Sequence, residues 1–206
     1  MEIDRNPSGE ELNESGEVTN ARQAATVLLF RDGDDGLEVL LVQRNPKARF
    51  MGGAWVFPGG GVGKDDAGHE AAALRELEEE AGIRLDDSAE LVPFAHWITP
   101  AEVVVRYDTL FYALEAPAGT EATVDGEECV GARWIRPADA LAEHQRGELE
   151  LVFPTIKTLE ALSAHRSTAE ALDDARAREI TPVQPRIVVG DGSAQVLMPG
   201  EPGYDD

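Results

Sequence analysis

One stretch of the sequence, from Gly59 to Ile83, joins a run of three glycines to a segment rich in Ala, Leu and Glu. Glycines lack a Cβ atom, so their backbone can turn sharply and approach a ligand closely, and the run predicts a loop. No proline interrupts the segment that follows, and Gly82 stands where a helix would stop. The stretch therefore predicts a loop and then a helix from Ala67 to Ala81, with Asp65 or Asp66 as its N-cap.

Three glutamates of this predicted helix are spaced so that their side chains meet on one face. Glu76, Glu79 and Glu80 stand at positions i, i+3 and i+4. Like charges so close repel one another unless cations or protons neutralise them. Carboxylate oxygens in twos and threes suit Mg²⁺ or Mn²⁺, and such sites commonly also hold substrate phosphates. The pattern therefore predicts a metal site in which Arg75 pairs with a carboxylate and fixes its direction.

The same residues resemble the signature of the Nudix hydrolases, G-x5-E-x7-R-E-U-x-E-E-x-G-U, where U is aliphatic. Every fixed position but one matches, from Gly61 through Ile83. The exception is Ala67, where the signature has a glutamate. A solvated helix face is the ordinary interpretation of a Glu-rich run, but so many matches at fixed spacing favour the family instead.

The resemblance implies an α/β fold, a Nudix-type α/β/α sandwich with a mixed sheet. It also implies a metal-dependent hydrolase that cleaves a pyrophosphate bond in a nucleoside diphosphate linked to another moiety. Ala67 keeps one alternative open, a catalytically silent Nudix-fold module that senses a nucleotide. An isomerase of the isopentenyl diphosphate type ranks last, because such enzymes use a cysteine upstream of the signature and Cys129 lies downstream.

Carried over by position, the resemblance assigns most of the site to the signature itself. It implies that the catalytic residues are Arg75, Glu76 and Glu79. It also implies that an Mg²⁺ or Mn²⁺ ion is bound by Glu76, Glu79, Glu80 and Gly60, the last through its carbonyl oxygen.

Further site candidates lie outside the signature. The general base is left open between a glutamate of the signature and two loop residues, Glu127 and Glu128. The substrate-binding candidates precede the signature and are Arg44, Arg49 and Trp55. The two arginines are cations in an acidic chain and suit phosphate, although solvated loop charges are an equal interpretation. Trp55 can stack on a base or pack as a buried aromatic beside the signature, and packing is favoured.

Three short motifs outside the signature look like the branch of the family that includes peroxisomal coenzyme A diphosphatases. They cover residues 48 to 51, 97 to 100 and 106 to 109. The animal members carry a long insertion inside the signature, and this chain has none. The resemblance therefore leaves the substrate open among ADP-ribose, NADH, dinucleoside polyphosphates and coenzyme A.

Charge and composition limit the partners. With 40 acidic and 18 basic residues the chain has a formal net charge of −22, which disfavours nucleic acid and anionic membranes. The same charge repels phosphorylated substrates, so phosphate chemistry calls for a bound cation. The only cysteine, Cys129, excludes an intrachain disulfide and is interpreted as a small buried apolar residue. We predict a cytoplasmic protein that acts on a small-molecule nucleoside diphosphate derivative, with a homodimer left open.

Hydrophobic patterning divides the chain into three segments, namely a disordered acidic leader (1–20), the Nudix domain (21–165) and a C-terminal helix and hairpin extension (166–206). The predicted strands are 24–30, 37–42, 91–97, 103–114 and 129–135. The helices predicted after the signature are 137–144, 154–164 and 168–178, and a small hairpin is predicted at 187–198.

Overall fold

The computed structural model describes residues 12–13, 15–48, 51–85, 89–190 and 193–205. The strands are β1 (Arg22–Gly33), β2 (Gly36–Arg44), β3 (Trp55–Val56), β4 (Gly59–Gly61), β5 (Val92–Ile98), β6 (Tyr107–Glu115), β7 (Cys129–Ile135), β8 (Pro182–Val183), β9 (Arg186–Gly190) and β10 (Ser193–Leu197). The helices are α1 (His69–Ala81), α2 (Pro137–Gln145), α3 (Phe153–Leu162) and α4 (Thr168–Ala177).

The main sheet is mixed, with eight strands in the part of the chain that the structure describes. Its central order is β3-β2-β1-β6-β5-β8, while β4 also pairs with β1 and β7 with β2. The β1–β6 and β5–β8 pairs are parallel and the other pairs are antiparallel. β1 therefore lies at the centre, hydrogen-bonded along both edges.

Helices cover both faces of this sheet. Alternate side chains of a strand point to opposite faces, and those of β1 are buried on both. Val27 and Leu29 pack with Leu77 of α1 in one hydrophobic cluster. Leu28 and Phe30 belong to the other cluster, which includes residues of α2, α3 and α4. The predicted α/β fold, with a mixed sheet between layers of helices, is confirmed.

The segment before α1 differs from its prediction in two ways. The glycine run forms the short strand β4, because side-chain-free residues can lie flat against β1, where a Cβ on Gly59 would come within 2.5 Å of the Ala25 carbonyl oxygen. The helix begins at His69 rather than Ala67, and its N-cap is Gly68, with no side-chain cap hydrogen bond. The predicted cap by Asp65 or Asp66 is therefore wrong.

The strand predicted from Val103 starts only at Tyr107. The residues before it form a loop that is held by the buried side chain of Arg106. Its Nε donates to the carbonyl oxygen of Thr99 at 3.1 Å, and its Nη1 donates to that of Thr19 at 2.6 Å. Loop 99–106 thus takes its shape from contacts between distant segments, which hydrophobic patterning does not reveal.

The described part of the N-terminal leader also lies on this loop. Leu12 forms an isolated antiparallel bridge with Val103, and the Asn13 N–H donates to the Glu102 carbonyl oxygen at 2.7 Å. The division of the chain into three segments stays a prediction. Within the described residues, none of the helices has both the length and the apolar character needed to cross a bilayer.

Candidate active site

The glycine strand β4 packs directly against two glutamates of α1. The Gly59 N–H donates to Glu80 Oε2 at 2.9 Å. A Cβ atom added to Gly60 would lie 2.4 Å from the Glu76 carboxylate, so any side chain there would displace that carboxylate. Glycine at this position therefore allows the Glu76 carboxylate to lie directly against the backbone.

Arg75 joins the glycine strand, the turn before the helix and the helix itself. Its Nη1 donates to Glu76 Oε1 and Glu79 Oε2, both at 2.8 Å. Its Nε and Nη2 each contact one oxygen of Asp66 at 3.0 Å, and Nη2 also donates to the Gly61 carbonyl oxygen at 3.0 Å. These hydrogen bonds lower the pKa of Asp66 and raise that of Arg75. Arg75 is thus a fixed positive charge that orients Glu76.

Sequence reasoning missed the role of Asp66 in this arrangement. Asp66 precedes Arg75 by nine positions across a turn, so no helical spacing connects the two residues. A side chain interpreted as a helix cap instead forms the bidentate pair that Arg75 favours.

Burial separates the three glutamates that the sequence groups together. Glu80 is 2% exposed and Glu76 is also buried, and both line the same cleft. The side chain of Glu79 is 56% exposed and rests on Arg75. The structure therefore brings Glu76 and Glu80 together and leaves Glu79 at the surface beside them.

The pKa of Glu80 is raised to about 7, chiefly because burial disfavours its charged form. Repulsion from Glu76 adds to this effect, while the Gly59 N–H, Arg44 and Cys129 oppose it. Burial likewise raises the pKa of Glu76, against the opposing contact with Arg75. Ionisation of either carboxyl group is therefore unfavourable in free energy here, and a nearby cation would remove that penalty.

The donor set at this position fits a small hard cation. Among the described residues no group of three or more His, Cys, Asp or Glu side chains stands close enough to hold a metal ion alone. Mg²⁺ does not need such a group, because it usually binds one or two carboxylates and completes its shell with water and substrate phosphates. Glu76 and Glu80, with Gly60 beside them in the cleft lining, supply that number of carboxylates.

The cleft that contains these carboxylates has a volume of about 910 Å³. One end is formed by the glycine strand and by polar or charged residues, namely Thr26, Arg44, Glu76, Glu80 and Glu128. The other end is mainly apolar and aromatic and includes Trp97, Ile98, Phe153 and Ile156, with the acidic residue Glu160 also in the lining. Phe111 of β6 lies between the two ends, since it is the sheet neighbour of Thr26.

Of the two substrate-binding candidates that the structure describes, one lines the cleft. Arg44 lines the cleft, and its Nη1 lies 4.0 Å from Glu80 Oε1. Trp55 is absent from the cleft lining and packs against the hydrophobic core, where its ring approaches Gly131. Arg49 lies outside the described residues.

The loop before β7 brings one of its two predicted glutamates to the cleft. The carboxylate of Asp125 accepts the backbone N–H groups of Glu127, Glu128 and Cys129 at 3.0 to 3.2 Å. Glu128 lines the cleft, whereas Glu127 does not, and Glu128 adds to the raised pKa of Glu76. Asp125 itself was missed, although an Asp-Gly pair whose carboxylate accepts backbone N–H groups ahead of it is a recognisable turn signal.

Cys129 is fully buried at the start of β7 and interacts with Glu80. Burial, with repulsion from the Glu80 carboxylate, raises the pKa of this thiol to about 12. The thiol therefore stays protonated beside Glu80, where its influence lowers the pKa of that carboxyl.

Ala67, the departure from the signature, lies in an exposed turn ahead of α1. It does not line the cleft. The residue that replaces the signature glutamate thus stands outside the group formed by Glu76, Glu80 and Glu128.

The family model described as the NUDIX domain matches residues 20–153. The chain is 26% identical over 230 residues to putative nudix hydrolase 7 of Caenorhabditis elegans, across 93% of this chain and 77% of that protein. A 70-residue segment is 46% identical to the uncharacterized Nudix hydrolase NudL of Citrobacter koseri, across 34% of this chain and only 35% of that protein. The crystal structure of the NUDIX hydrolase from Alicyclobacillus acidocaldarius superposes with a TM-score of 0.67 at 26% identity, over 76% of this chain and 97% of that one.

The mixed sheet between layers of helices, with buried carboxylates beside a glycine strand at one end of a cleft, fits a hydrolase that acts on pyrophosphate bonds. The family match covers more than half of the chain, and on that basis the chain belongs to the NUDIX family as a Nudix pyrophosphohydrolase.

Proposed function

We propose that this enzyme uses Mg²⁺ or Mn²⁺ to hydrolyse the pyrophosphate bond of a nucleoside diphosphate linked to another moiety. The observation that carries the proposal is the pair of buried carboxylates, Glu76 and Glu80, at one end of a substrate-sized cleft. Two ionised carboxylates in such a place repel each other and a diphosphate as well. A divalent cation held by these two carboxylates would offset both effects.

In the reaction, a water oxygen forms a bond to one phosphorus while the bond between that phosphorus and the bridging oxygen breaks. The products are a nucleoside monophosphate and a phosphate monoester of the other moiety. The bound cation would supply positive charge to the phosphate oxygens and lower the pKa of a coordinated water. Glu76 and Glu80 would hold the cation, with the Gly60 carbonyl and Glu79 as further ligands. Arg75 keeps Glu76 in its orientation through the 2.8 Å contact.

Glu128 is the loop glutamate that we favour as the base that accepts the proton of the attacking water. Its side chain lines the cleft, and the contacts of its backbone with Asp125 fix the position of the loop. Glu76 has the disadvantage that Arg75 already binds its carboxylate. Glu127 has the disadvantage that it lies away from the cleft lining.

The test of the proposal is a substrate panel with Mg²⁺ or Mn²⁺, comprising ADP-ribose, NADH, a dinucleoside polyphosphate and coenzyme A. Release of phosphate monoesters is followed chromatographically, and metal-free enzyme serves as the control. Turnover that depends on the metal is expected for at least one compound. A complete lack of turnover on every compound with both metals would contradict the proposal. The cytoplasmic location and the homodimer stay predictions.

Arg44 is expected to contribute to binding of the diphosphate. A charge-assisted hydrogen bond contributes about 1.5–3 kcal/mol, so Arg44→Ala should raise KM by about tenfold or more. Lys47→Ala is the matched control, since Lys47 is a nearby cation outside the cleft lining. Steady-state kinetics on the best substrate decide the matter, and an unchanged KM in Arg44→Ala would remove this residue from the site.

Divalent ions should raise the melting temperature beyond the effect of salt. An ion that binds only the folded state adds about 2.7 kcal/mol at about 100 times its Kd, which corresponds to roughly 5–10 °C for a chain of this size. Screening of the −22 net charge can also raise the melting temperature, so NaCl at matched ionic strength is the control.

The discriminating variant for this measurement is Glu76→Gln with Glu80→Gln. It removes both carboxylate ligands together with their repulsion. Its melting temperature without metal should equal or exceed that of the wild type, and Mg²⁺ should act on it no more strongly than NaCl. A full Mg²⁺ response in the double variant would place the metal elsewhere.

A further inference from the structure

The C-terminal hairpin, β9 with β10, presents one apolar face to the cleft. Ile187 of β9 and Val196 of β10 are directly opposite each other in the pairing register, and both line the cleft. Val188, the next residue of β9, points to the other face and is 40% exposed. A two-stranded hairpin is only marginally stable alone. The stability of this hairpin therefore depends on the packing of its apolar face against the rest of the protein.

Glu102 fastens this hairpin to loop 99–106. Its Oε2 accepts the Ile187 N–H at 3.2 Å, and its Oε1 lies 3.9 Å from Nε of Arg186. The loop itself contributes Pro100 and Val103 to the cleft. Hairpin and loop therefore form one continuous wall, and the hairpin lies beyond residue 153, where the family match ends.

The chemistry of this wall differs from that of the carboxylate end. Arg44 is the only Lys or Arg among the described residues that line the cleft, and it stands beside Glu80. The rest of the lining contains apolar and aromatic groups such as Trp97 and Phe153, which pack edge to face with ring centroids 6.0 Å apart, and its further charged side chains are the acidic Glu150 and Glu160. A second anionic group would find no permanent cation there among the described residues, whereas an uncharged chain would bury apolar surface.

We infer that the hairpin selects substrates whose second moiety is an extended, uncharged and largely apolar group. The inference rests on the proposed function, because the diphosphate must sit at Glu76 and Glu80 for the second moiety to reach the wall. Ile187 and Val196 then act as specificity determinants. They contact the second moiety of the substrate, which is released as a phosphate monoester.

A series of P²-alkyl esters of ADP (methyl, butyl and octyl) tests this inference on the Mg²⁺-loaded enzyme. Each methylene buried against the wall is expected to raise kcat/KM by about fourfold, until the cleft is filled. Ile187→Ser should lower kcat/KM for the octyl ester by about tenfold and leave the methyl ester unchanged. Val188→Ser, the neighbouring change on the opposite face, should behave as the wild type with all three esters.

A second variant tests the wall without changing its surface. Glu102→Ala removes the acceptor that holds Ile187 and Arg186, and it should reproduce the selective loss on the octyl ester, with melting curves as the check on folding. Equal kcat/KM for methyl and octyl esters in the wild type would overturn the inference while leaving the proposed function intact. Equal losses in Ile187→Ser and Val188→Ser would also overturn it. If the wild type cleaves none of the esters, turnover on the substrate panel decides the proposed function separately, and calorimetric affinities for the methyl and octyl esters decide the inference by the same comparison.

Discussion

The metal-free protein is expected to lose stability as the pH rises from about 5 to about 8, with Glu80 as a main contributor. Burial raises the folded-state pKa of Glu80 from 4.5 to about 7. A raised pKa means that the folded state binds the proton more tightly than the unfolded state does. The contribution to stability is therefore complete below the unfolded pKa and is lost as the pH rises through the folded pKa. The difference between the two pKa values corresponds to about 3 kcal/mol.

Thermal melts in a chelator at several pH values measure this effect. Glu80→Gln keeps the shape of the side chain and removes the titration, so near pH 8 it should melt roughly 6–12 °C above the wild type. The two proteins should converge near pH 5. Glu78→Gln is the matched control, because Glu78 lies on the same helix, exposed and 3.6 Å from Arg84. Parallel pH profiles for wild type and Glu80→Gln would contradict the assigned titration.

Glu80→Gln should also abolish most of the activity at saturating Mg²⁺. A bound cation contributes several kcal/mol of transition-state stabilisation, and a loss of about 2.7 kcal/mol is already 100-fold in rate. We therefore expect kcat to fall by at least about 100-fold, because a neutral amide is a poor ligand for a hard cation. The variant is thus predicted to be more stable and much less active than the wild type.

Single-turnover and steady-state rates for three variants of α1 check this prediction. Glu78→Gln should keep wild-type turnover. Glu79→Gln should also lose most of its activity, since its carboxylate balances Arg75 at 2.8 Å and is a proposed ligand. Wild-type kcat in Glu80→Gln would remove this residue from the metal site.

Local signals in the sequence correctly predicted the helix α1 and the residue at which it ends. The C-terminal glycine at position 82 does adopt the left-handed conformation, with φ of 65°, and most predicted strands and helices match the observed ones within a few residues. The same local signals failed at the glycine run, which forms a strand because β1 lies beside it. Pattern reasoning therefore succeeds where a segment determines its own conformation and fails where a distant partner does.

The site shows the same limit. The spacing of Glu76, Glu79 and Glu80 places them on neighbouring turns, but spacing alone does not say which carboxylates are buried. Burial depends on β4, whose Gly59 N–H binds the Glu80 carboxylate, and on the residues at the start of β7, since the buried Cys129 and Glu80 influence each other's pKa. Likewise, the contribution of Ile187 to the cleft depends on Glu102, and no spacing links these two residues.

The parallel pairing of β1 with β6 has a consequence for how the chain is made. Gln23 and Asp108 are adjacent in the sheet but 85 positions apart in the chain. Because the chain loses entropy when a loop closes, a loop of that length costs about 4 kcal/mol of free energy, in addition to a constant that does not depend on loop length. During synthesis the whole signature segment is translated before β6. Until residue 115 emerges, β1 lacks its central partner, and Glu76 and Glu80 belong to a helix without a complete sheet beneath it. The cleft is therefore completed late in translation, although Arg44, Glu76 and Glu80 of its charged end are made before β6.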